Sequence, residues 1–409
     1  MSAKKRSVRL LVLTISAATV LLPGAAVAQA KAPVKAPAGG AFYTASAKQI
    51  KAGKPGSVIW SREIKYSAAG RVALPSASRT MLVLYRSLDP KGKPIAVSGT
   101  IDLPKGKAPK GGWKVISWAH GTTGAADSCA PSRNVAGSPA TAYIAYTTAT
   151  YDSWVKAGYA VLRTDYEGLG TPGPHRYLVG RSEGRGVVDI ALAAHDLLPK
   201  LSKSWLIGGH SQGGHAALFA ASLAPKLAPK LKLKGVYAFA PASHLYEQGQ
   251  AIGNLGDAYK GLTALAVLIL TSAAREAGVD PKSLVTTEIA DKISKLEELC
   301  SGQLGADNIF GDIAPNKILK PGETTASIDN ALRAMNPNVK IKAPVLILQG
   351  LDDNTVIAGF TLALVAELRA SGDKVTYDAV PGLTHMSIVT DPAVEARVSK
   401  WIKSKLAGG

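Results

Sequence analysis

The residues most suited to chemistry surround Ser211, within the run Gly209-His210-Ser211-Gln212-Gly213. The apolar residues 206–208 before this run predict a strand, and residues 216–219 after it predict a helix. Gly-x-Ser-x-Gly between a strand and a helix is typical of a sharp turn that strains the serine backbone and exposes its hydroxyl. Such a hydroxyl can attack a carbonyl carbon. The N–H of Gln212, at the start of the helix, can then stabilise the oxyanion.

A serine nucleophile needs a base that takes its proton and an acid that orients the base. Two later loops offer these groups, each directly after a predicted strand. The strand at 344–349 leads into Asp352 and Asp353, and the strand at 374–380 is followed by His385. We therefore expect His385 to act as general base, with one of the two aspartates as its partner.

Strands and helices must alternate to bring these loops together. Residues 57–103 contain alternating, β-branched stretches that predict antiparallel strands at the start of a sheet. Later strands and helices follow one another as in a doubly wound, mostly parallel sheet, which predicts an α/β fold. The strands are predicted near 113–119, 159–165, 204–208, 234–240, 344–349 and 374–380. The helices are predicted near 183–199, 212–225, 357–371 and 391–405.

The chain is longer than this core requires. We assign residues 41–242 and 342–409 to the core and residues 243–341 to a mainly helical cap inserted over the site. An apolar run at 262–272 lies inside the cap. It either lines an acyl-binding tunnel and faces lipid when the cap moves, or forms a buried helix that packs the cap onto the core.

Three motifs together resemble the secretory lipase family, a branch of the α/β-hydrolases. They are His120-Gly121-Thr122-Thr123-Gly124, the run from Asp165 to His175, and the run from Gly209 to His215. The resemblance extends from about Ala41 to the C-terminus. It implies an α/β-hydrolase fold and a secreted serine hydrolase of carboxylic esters, for which acylglycerols are the best-known substrates.

The resemblance also implies roles for individual residues. Chain order Ser211, Asp353, His385 is that of an α/β-hydrolase catalytic triad, and Asp353 matches the family spacing better than its alternative, Asp352. The loop after strand 113–119 should supply a second oxyanion donor, the N–H of Thr122, with Gly121 as the alternative. The remaining polar residues of the three motifs are expected to brace loops or pack under the turn: His120, Asp165, Glu167, His210 and His215.

The N-terminus predicts export. Basic residues precede an apolar run from Leu10 to Leu22, and Ala28-Gln29-Ala30 is a small-x-small cleavage site, so residues 1–30 read as a signal peptide. Residues 31–40 are predicted to be a disordered leader. No later apolar run reaches the length of a membrane span, so no transmembrane segment is expected. The mature protein is expected to be extracellular or periplasmic.

The two cysteines of the chain, Cys129 and Cys300, predict a disulfide bond in an exported protein, one that ties the cap to the core. No metal-ligand spacing and no cofactor motif is found, so neither a metal nor a cofactor is expected. The formal net charge of +19 is compatible with contact to an anionic envelope or lipid surface. Dispersed lysines without an Arg-aromatic face argue against a nucleic-acid partner.

Two other kinds of function are compatible with this sequence. An acyltransferase or a peptidase can use the same triad, because cap and pocket shape select the acceptor. A non-catalytic, envelope-binding protein can also keep the fold, since fold alone does not imply activity.

Overall fold

The computed structural model describes residues 35–65, 73–135 and 137–407. The predicted signal peptide and residues 31–34 of the predicted leader lie outside the described residues. Residues 35–40 were expected to be disordered, but Ala36 packs half-buried against the cluster around Phe42 and Trp60. A 3-10 helix begins at Gly39 and buries Phe42 and Tyr43. These two aromatic side chains anchor the end of the leader to the core.

Within the described residues, nine strands form one mixed sheet in the order β1-β2-β3-β5-β4-β6-β7-β8-β9. The first three strands are antiparallel, β3 pairs antiparallel with β5, and the remaining neighbours are parallel. The predicted α/β class and mostly parallel sheet are thus confirmed. The strands are β1 Val58–Ile64, β2 Ala77–Leu88, β3 Pro94–Pro104, β4 Trp113–Ala119, β5 Ala160–Thr164, β6 Leu201–His210, β7 Lys232–Phe239, β8 Val345–Gly350 and β9 Val375–Val380.

Helices cover both faces of the sheet, as burial of apolar strands on two sides requires. Five long helices pack on it: α2 Thr141–Lys156, α3 Gly180–Leu197, α4 Gln212–Leu227, α11 Ala358–Ala370 and α13 Pro392–Leu406. Side chains from α3, α4 and α11 fill one side, and those from α2 and α13 fill the other. Two short helices complete this part: α1 Ala47–Lys51 and α12 Ser387–Thr390.

Helix α2 was not predicted. Its sequence is rich in threonine and tyrosine, which have modest helix propensity. The helix forms because Ile144, Tyr151 and Trp154 are buried along one face, where Tyr151 and Trp154 pack against Trp118 of β4. Tertiary packing therefore decides the conformation of this segment.

Residues 243–341, the predicted cap, lie between β7 and β8, and their apolar side chains share one buried cluster with Tyr177, Leu178, Val179 and Ala242 of the predicted core. Its α-helices are α5 Leu245–Ile252, α6 Thr263–Ala277, α7 Pro281–Leu284, α8 Thr287–Lys292, α9 Ser301–Leu304 and α10 Asp329–Ala334. Short 3-10 or π-helical turns join them: Asp257–Leu262, Ile293–Glu297, Asp307–Gly311 and Pro315–Lys317.

One helical stretch of the described residues, Asp257–Ala277, has the length and apolar composition of a membrane span, with a mean hydropathy of 1.2. It is longer than the apolar run seen in the sequence, because the turn Asp257–Leu262 continues into α6. Half of its most apolar window is buried inside the protein. A helix packed in a protein core has the same composition, so this stretch is weak support for a membrane span.

Candidate active site

Ser211 occupies the turn between β6 and α4, where its backbone has φ 57° and ψ −118°. Such a positive φ is strained for a residue with a side chain. Two glycines make the turn feasible. A Cβ on Gly209 would lie 2.0 Å from the Gly213 carbonyl oxygen, and a Cβ on Gly213 would lie 2.0 Å from that of Ala119. The end of β6, the start of α4 and the end of β4 are therefore so close together that only glycine fits at these two positions.

Asp353 and His385 meet on the loops after β8 and β9. The Nδ1 atom of His385 lies 2.7 Å from Oδ2 of Asp353, whose side chain is fully buried. Three further groups donate to the same carboxylate: the N–H groups of Thr355 and Val356 at 2.8 Å, and the side-chain amide of Gln349 at 3.0 Å. A carboxylate held by several donors is fixed in direction. Asp353 can therefore orient the imidazole.

Asp352 is placed differently. Its residue is exposed, and within the described part of the chain its carboxylate takes part in no hydrogen bond, while its N–H donates to Leu383 O at 3.0 Å. An exposed carboxylate has a solvent shell and a mobile side chain, so it cannot fix an imidazole as Asp353 can. The geometry supports Asp353 over Asp352.

His385 contacts His210, the residue directly before Ser211. The rings of His210 and His385 have centroids 4.7 Å apart, and His210 Nε2 lies 2.9 Å from the backbone oxygen of His385. Among the described residues, the Ser211 hydroxyl forms no hydrogen bond with His385. In unliganded hydrolases this bond is often long and tightens when substrate binds.

The loop after β4 contains both candidates for the second oxyanion donor. The N–H of Gly121 donates to the Tyr143 hydroxyl at 2.8 Å, so it is already engaged. The N–H of Thr122 makes no hydrogen bond inside the described ranges, and Thr122 lines the same cavity as Ser211. Gln212 is the first residue of α4, and its N–H therefore lacks an intrahelical partner. The contacts favour Thr122 and Gln212 over Gly121.

Tyr143, on α2, contacts both the loop after β4 and His210 at the end of β6. These contacts were not predicted from the sequence, because α2 was not predicted. The Tyr143 hydroxyl lies 2.9 Å from Nδ1 of His210. Burial, with a smaller contribution from the nearby His385, holds the pKa of His210 well below its usual range, so this imidazole is neutral. A consistent assignment follows: Gly121 N–H donates to Tyr143, Tyr143 donates to His210 Nδ1, and His210 Nε2–H donates to the His385 carbonyl. This relay joins the loop of the oxyanion donor to the loop of the base.

A second buried network lies under the turn. The carboxylate of Glu183 accepts hydrogen bonds from the Gln212 side-chain amide at 2.7 Å and the Leu178 N–H at 2.8 Å, and it lies 3.2 Å from His215 Nδ1. His215 also contacts the Met335 carbonyl at the end of the cap. His210 and His215 are both fully buried, which agrees with their expected packing beneath the turn.

The carboxylates of Asp165 and Glu167 brace loops, as expected. Asp165 accepts hydrogen bonds from the hydroxyls of Ser98 and Ser132, and Glu167 accepts from Ser182 and Arg176. Burial raises the pKa of both carboxyl groups. Their side chains are saturated by structural partners and do not line the cavity next to Ser211.

The disulfide bond between Cys129 and Cys300 is present. It attaches the cap directly beside the loop that carries Thr122. The N–H of Ser301 donates to the Thr123 carbonyl at 2.9 Å, and the Ser301 hydroxyl donates to the Thr122 carbonyl at 3.4 Å. The bond therefore holds a cap segment against the candidate oxyanion donor.

An apolar cavity lies between Ser211 and the cap. Its volume is about 140 Å³, similar to that of a cavity that binds benzene. Most of its wall is aliphatic, and the cap supplies much of that wall: Leu245, Leu262, Leu265, Ile269, Ile318 and Leu332.

Helix α6 combines the two roles that the sequence left open. Leu265, Ala266 and Ile269 line the cavity, while Val267 and Leu268 are buried in the cap cluster. One face of the helix therefore packs the cap, and another forms the cavity wall. In the part of the chain that the structure describes, no group of His, Cys, Asp or Glu is placed to hold a metal ion.

Comparisons with known proteins agree with this fold. Residues 136–409 match the family model described as secretory lipase. Lipase 6 of Candida albicans is 30% identical over 205 residues, which span 49% of this chain and 42% of that protein. The match thus spans less than half the length of this relative. Lipase A of Arthroderma benhamiae is 25% identical over 87% of this chain and 76% of its own length.

Two further matches extend the comparison. A protein of Mycobacterium tuberculosis described as a probable inactive lipase is 25% identical over 87% of this chain and 79% of its own length. The closed state of Candida antarctica lipase A superposes with a TM-score of 0.69 at 21% identity, over 84% of this chain and 80% of that one. At this identity the structural match establishes the fold, an α/β-hydrolase fold, and not the substrate.

Proposed function

The chain belongs to the secretory lipase family, and from that premise we propose that it is an exported serine hydrolase of carboxylic esters, with Ser211, His385 and Asp353 as its catalytic triad. One observation carries the proposal: Ser211 stands in a strained strand-to-helix turn and lines an apolar cavity, and the residue before it contacts a histidine held by a buried aspartate. Family membership supports ester hydrolysis in general, and these contacts supply the residues.

In the proposed reaction, His385 takes the proton of the Ser211 hydroxyl as its oxygen attacks the ester carbonyl. The N–H groups of Thr122 and Gln212 donate to the oxyanion of the tetrahedral intermediate. His385 then gives the proton to the leaving alcohol, and an acyl-enzyme remains on Ser211. Water, activated by the same imidazole, attacks the acyl-enzyme and releases the acid. Asp353 stabilises the imidazolium at both stages.

The cavity supports an acyl ester with an aliphatic chain as the substrate. Its wall offers few polar side chains, so an acyl chain gains by leaving water. Thr122 and Ser211 line the same cavity, which supports a binding mode with the reacting carbonyl beside these two residues and the acyl chain against the cap. We propose that cap residues select the acyl length. Acylglycerols and smaller carboxylic esters both fit this description.

Export is part of the proposal. The first 30 residues carry the sequence features of a signal peptide, and the buried disulfide bond is typical of proteins that fold outside the reducing cytosol. The family description, secretory lipase, points the same way.

The test is hydrolysis of p-nitrophenyl esters from acetyl to palmitoyl by the wild-type chain and by Ser211→Ala. Ester hydrolysis through the triad predicts turnover that falls by about 10⁴ to 10⁶ in the variant. Labelling of Ser211 by a fluorophosphonate, located by mass spectrometry of the peptide, checks that the serine is activated. Turnover that is equal in the two proteins would contradict the proposal.

A non-catalytic role is the second candidate, and the relative described as a probable inactive lipase favours testing it. A silent protein would show neither turnover nor labelling of Ser211, whereas an acyltransferase would be labelled and would release product faster with an added alcohol. Labelling and acceptor dependence therefore separate the three functions.

A further inference from the structure

The edge of the sheet opposite the active site is rich in lysine. Strands β5, β4, β6, β7, β8 and β9 are mutually parallel neighbours in this order. Their carboxyl ends lead to the loops of Ser211, Asp353 and His385, so their amino ends lie together at the other edge. With neighbouring strands about 4.8 Å apart, six strands give an edge roughly 24 Å wide.

Each of these six strands is entered through a lysine-bearing segment. We name the amino-end segments by their residues: 105–114, 156–159, 198–203, 226–234, 335–344 and 371–374. Together they contain fourteen lysines, no arginine and one acidic residue, Asp373. Asp373 is buried and forms an ion pair with Lys340 at 2.8 Å. The lysines therefore form a row that crosses the whole parallel part of the sheet.

These lysines lack acidic partners. Of the fourteen, Lys340 alone takes part in an ion pair among the residues that the structure describes. Acids near the edge include Asp152 on α2, Asp196 on α3 and Glu367 on α11, and all three are engaged by groups other than these lysines. Glu367 accepts from the Asn336 side-chain amide and lies 3.1 Å from His244 Nε2. Asp152 accepts from Ser76, and Asp196 accepts from the Val58 N–H. The like charges of the row repel each other unless an external anion neutralises them.

The cap differs from the amino-end segments in its charge balance and in its ion pairs. It has twelve acidic residues against nine lysines and arginines, and many of its cations are paired, such as Lys260 with Asp312 and Lys295 with Glu298. The positive net charge of the chain is therefore concentrated on the core. The amino-end segments supply a large share of it.

We propose that the amino-end segments form a binding surface for an acidic polysaccharide, which would hold the enzyme by the edge opposite its active site. A linear polymer with an anionic group on successive sugars can contact lysines from strand to strand along the row. Beside the row, a groove is lined by Pro109, Trp113 and Pro199, together with Lys107 and Lys200. The half-buried indole and the proline rings offer apolar surfaces to the C–H faces of sugar rings.

The same surface is less suited to two other polyanions. A membrane surface is usually bound with apolar side chains that insert between lipids. The large apolar side chains that are exposed in the described chain lie elsewhere: Val135, Tyr259, Leu351, Ile357 and Leu362. Nucleic acids are usually bound with arginine and with aromatic side chains on which bases stack, and the amino-end segments contain no arginine.

The experiment measures binding of the full chain to polygalacturonate by sedimentation or biolayer interferometry at several salt concentrations. Lys200, Lys203, Lys230 and Lys232, at the central strands β6 and β7, are replaced together by glutamine. We expect the dissociation constant to rise by at least roughly tenfold and its salt dependence to become shallower, because fewer counter-ions are released. The circular dichroism spectrum and the thermal unfolding midpoint should stay unchanged, which verifies folding.

A matched variant separates a local surface from overall charge. Lys48, Lys51, Lys91 and Lys93 are exposed and lie towards the opposite edge, and their replacement by glutamine removes the same charge. This variant should bind polygalacturonate like the wild type. Equal weakening in both variants, no binding at low salt, or tighter binding to duplex DNA or to phosphatidylglycerol vesicles would overturn the proposal. These readouts do not depend on ester hydrolysis, so the surface can fail while the proposed function stands, and the reverse.

Discussion

Ser211 faces two walls of opposite character. On the side of the sheet loops, buried polar side chains have fixed partners: Asp353 has four donors, and His210 bridges Tyr143 and the carbonyl of His385. On the side of the cap, the wall is mainly aliphatic. Polar groups with directed hydrogen bonds can fix a geometry within tenths of an ångström, whereas aliphatic walls accept any chain of suitable shape. In the proposed function, the loops therefore set the reaction, and the cap selects the substrate.

The largest effect on the loop side should come from Asp353→Asn. The asparagine oxygen can still accept from the N–H groups of Thr355 and Val356, but its NH₂ then points at Gln349 and at Nδ1 of His385. This selects the wrong imidazole tautomer, and we expect kcat to fall by about 10⁴. Steady-state hydrolysis of p-nitrophenyl butyrate measures it. Asp352→Asn is the matched control and should keep near wild-type turnover. The reverse ranking would transfer the role to Asp352.

On the loop side, His120 should make the free energy of unfolding depend on pH. Burial lowers the pKa of His120, the first residue after β4, to about 4. The pKa of a histidine in an unfolded chain is about 6.5. Between these values the unfolded state binds a proton that the folded state does not. The free energy of unfolding therefore falls as the pH falls, by about 3 kcal/mol over the window. Above pH 6.5 this contribution is constant.

His120→Asn should remove that part of the pH dependence, since an amide can still donate to the Gly121 carbonyl as the ring does. Urea unfolding of wild type and variant at pH 7 and pH 4 measures the difference. His195→Asn, which removes an imidazole between the carbonyls of Ala191 and Ser202, controls for lost hydrogen bonds. If wild type and His120→Asn lose equal stability on acidification, His120 is not the source.

How much of this arrangement the sequence predicts depends on whether a signal is local. Ser211, Asp353 and His385 each follow their own strand, so short patterns and chain order were sufficient to propose them as a triad. Tyr143 gives no such signal, since it lies on a helix with weak propensity and meets His210 across 67 residues. The sequence likewise favours Thr122 over Gly121 as the second oxyanion donor, but the hydrogen bond from the Gly121 N–H to Tyr143 that supports this choice has no local signal.

Whole strands and helices show the same difference between local signals and contacts across the fold. The sequence predicted the alternating strands and helices of the core, which are confirmed, because burial on two faces leaves continuous apolar runs. Which face of α6 meets the cavity depends on the packing of the cap. The lysine row depends on strand order, which places β5 beside β4 and joins segments far apart in the chain.

On the cap side, Ile269→Trp should change substrate choice without changing the reaction. Ile269 lines the cavity and is half-buried, so an indole there shortens the space for an acyl chain. We expect kcat/KM for p-nitrophenyl palmitate to fall by roughly 100-fold while the value for the acetate ester stays near wild type. Leu362→Trp, at an exposed position on α11, should leave both unchanged. A uniform loss across all esters would show that α6 positions the reacting groups as well.

The smallest effect, and the sharpest test of the loop side, is Tyr143→Phe. Losing the hydroxyl leaves the Gly121 N–H and His210 Nδ1 without their partner and loosens both loops, yet the ring keeps its place. We expect kcat to fall roughly tenfold with little change in KM, because the relay acts on the geometry of the transition state. Tyr146→Phe, on the same helix, removes a hydroxyl bound to Thr390 instead and should retain full kcat. Equal kcat in the two variants would mean that the relay merely packs the core and that Thr122 and His385 are positioned independently.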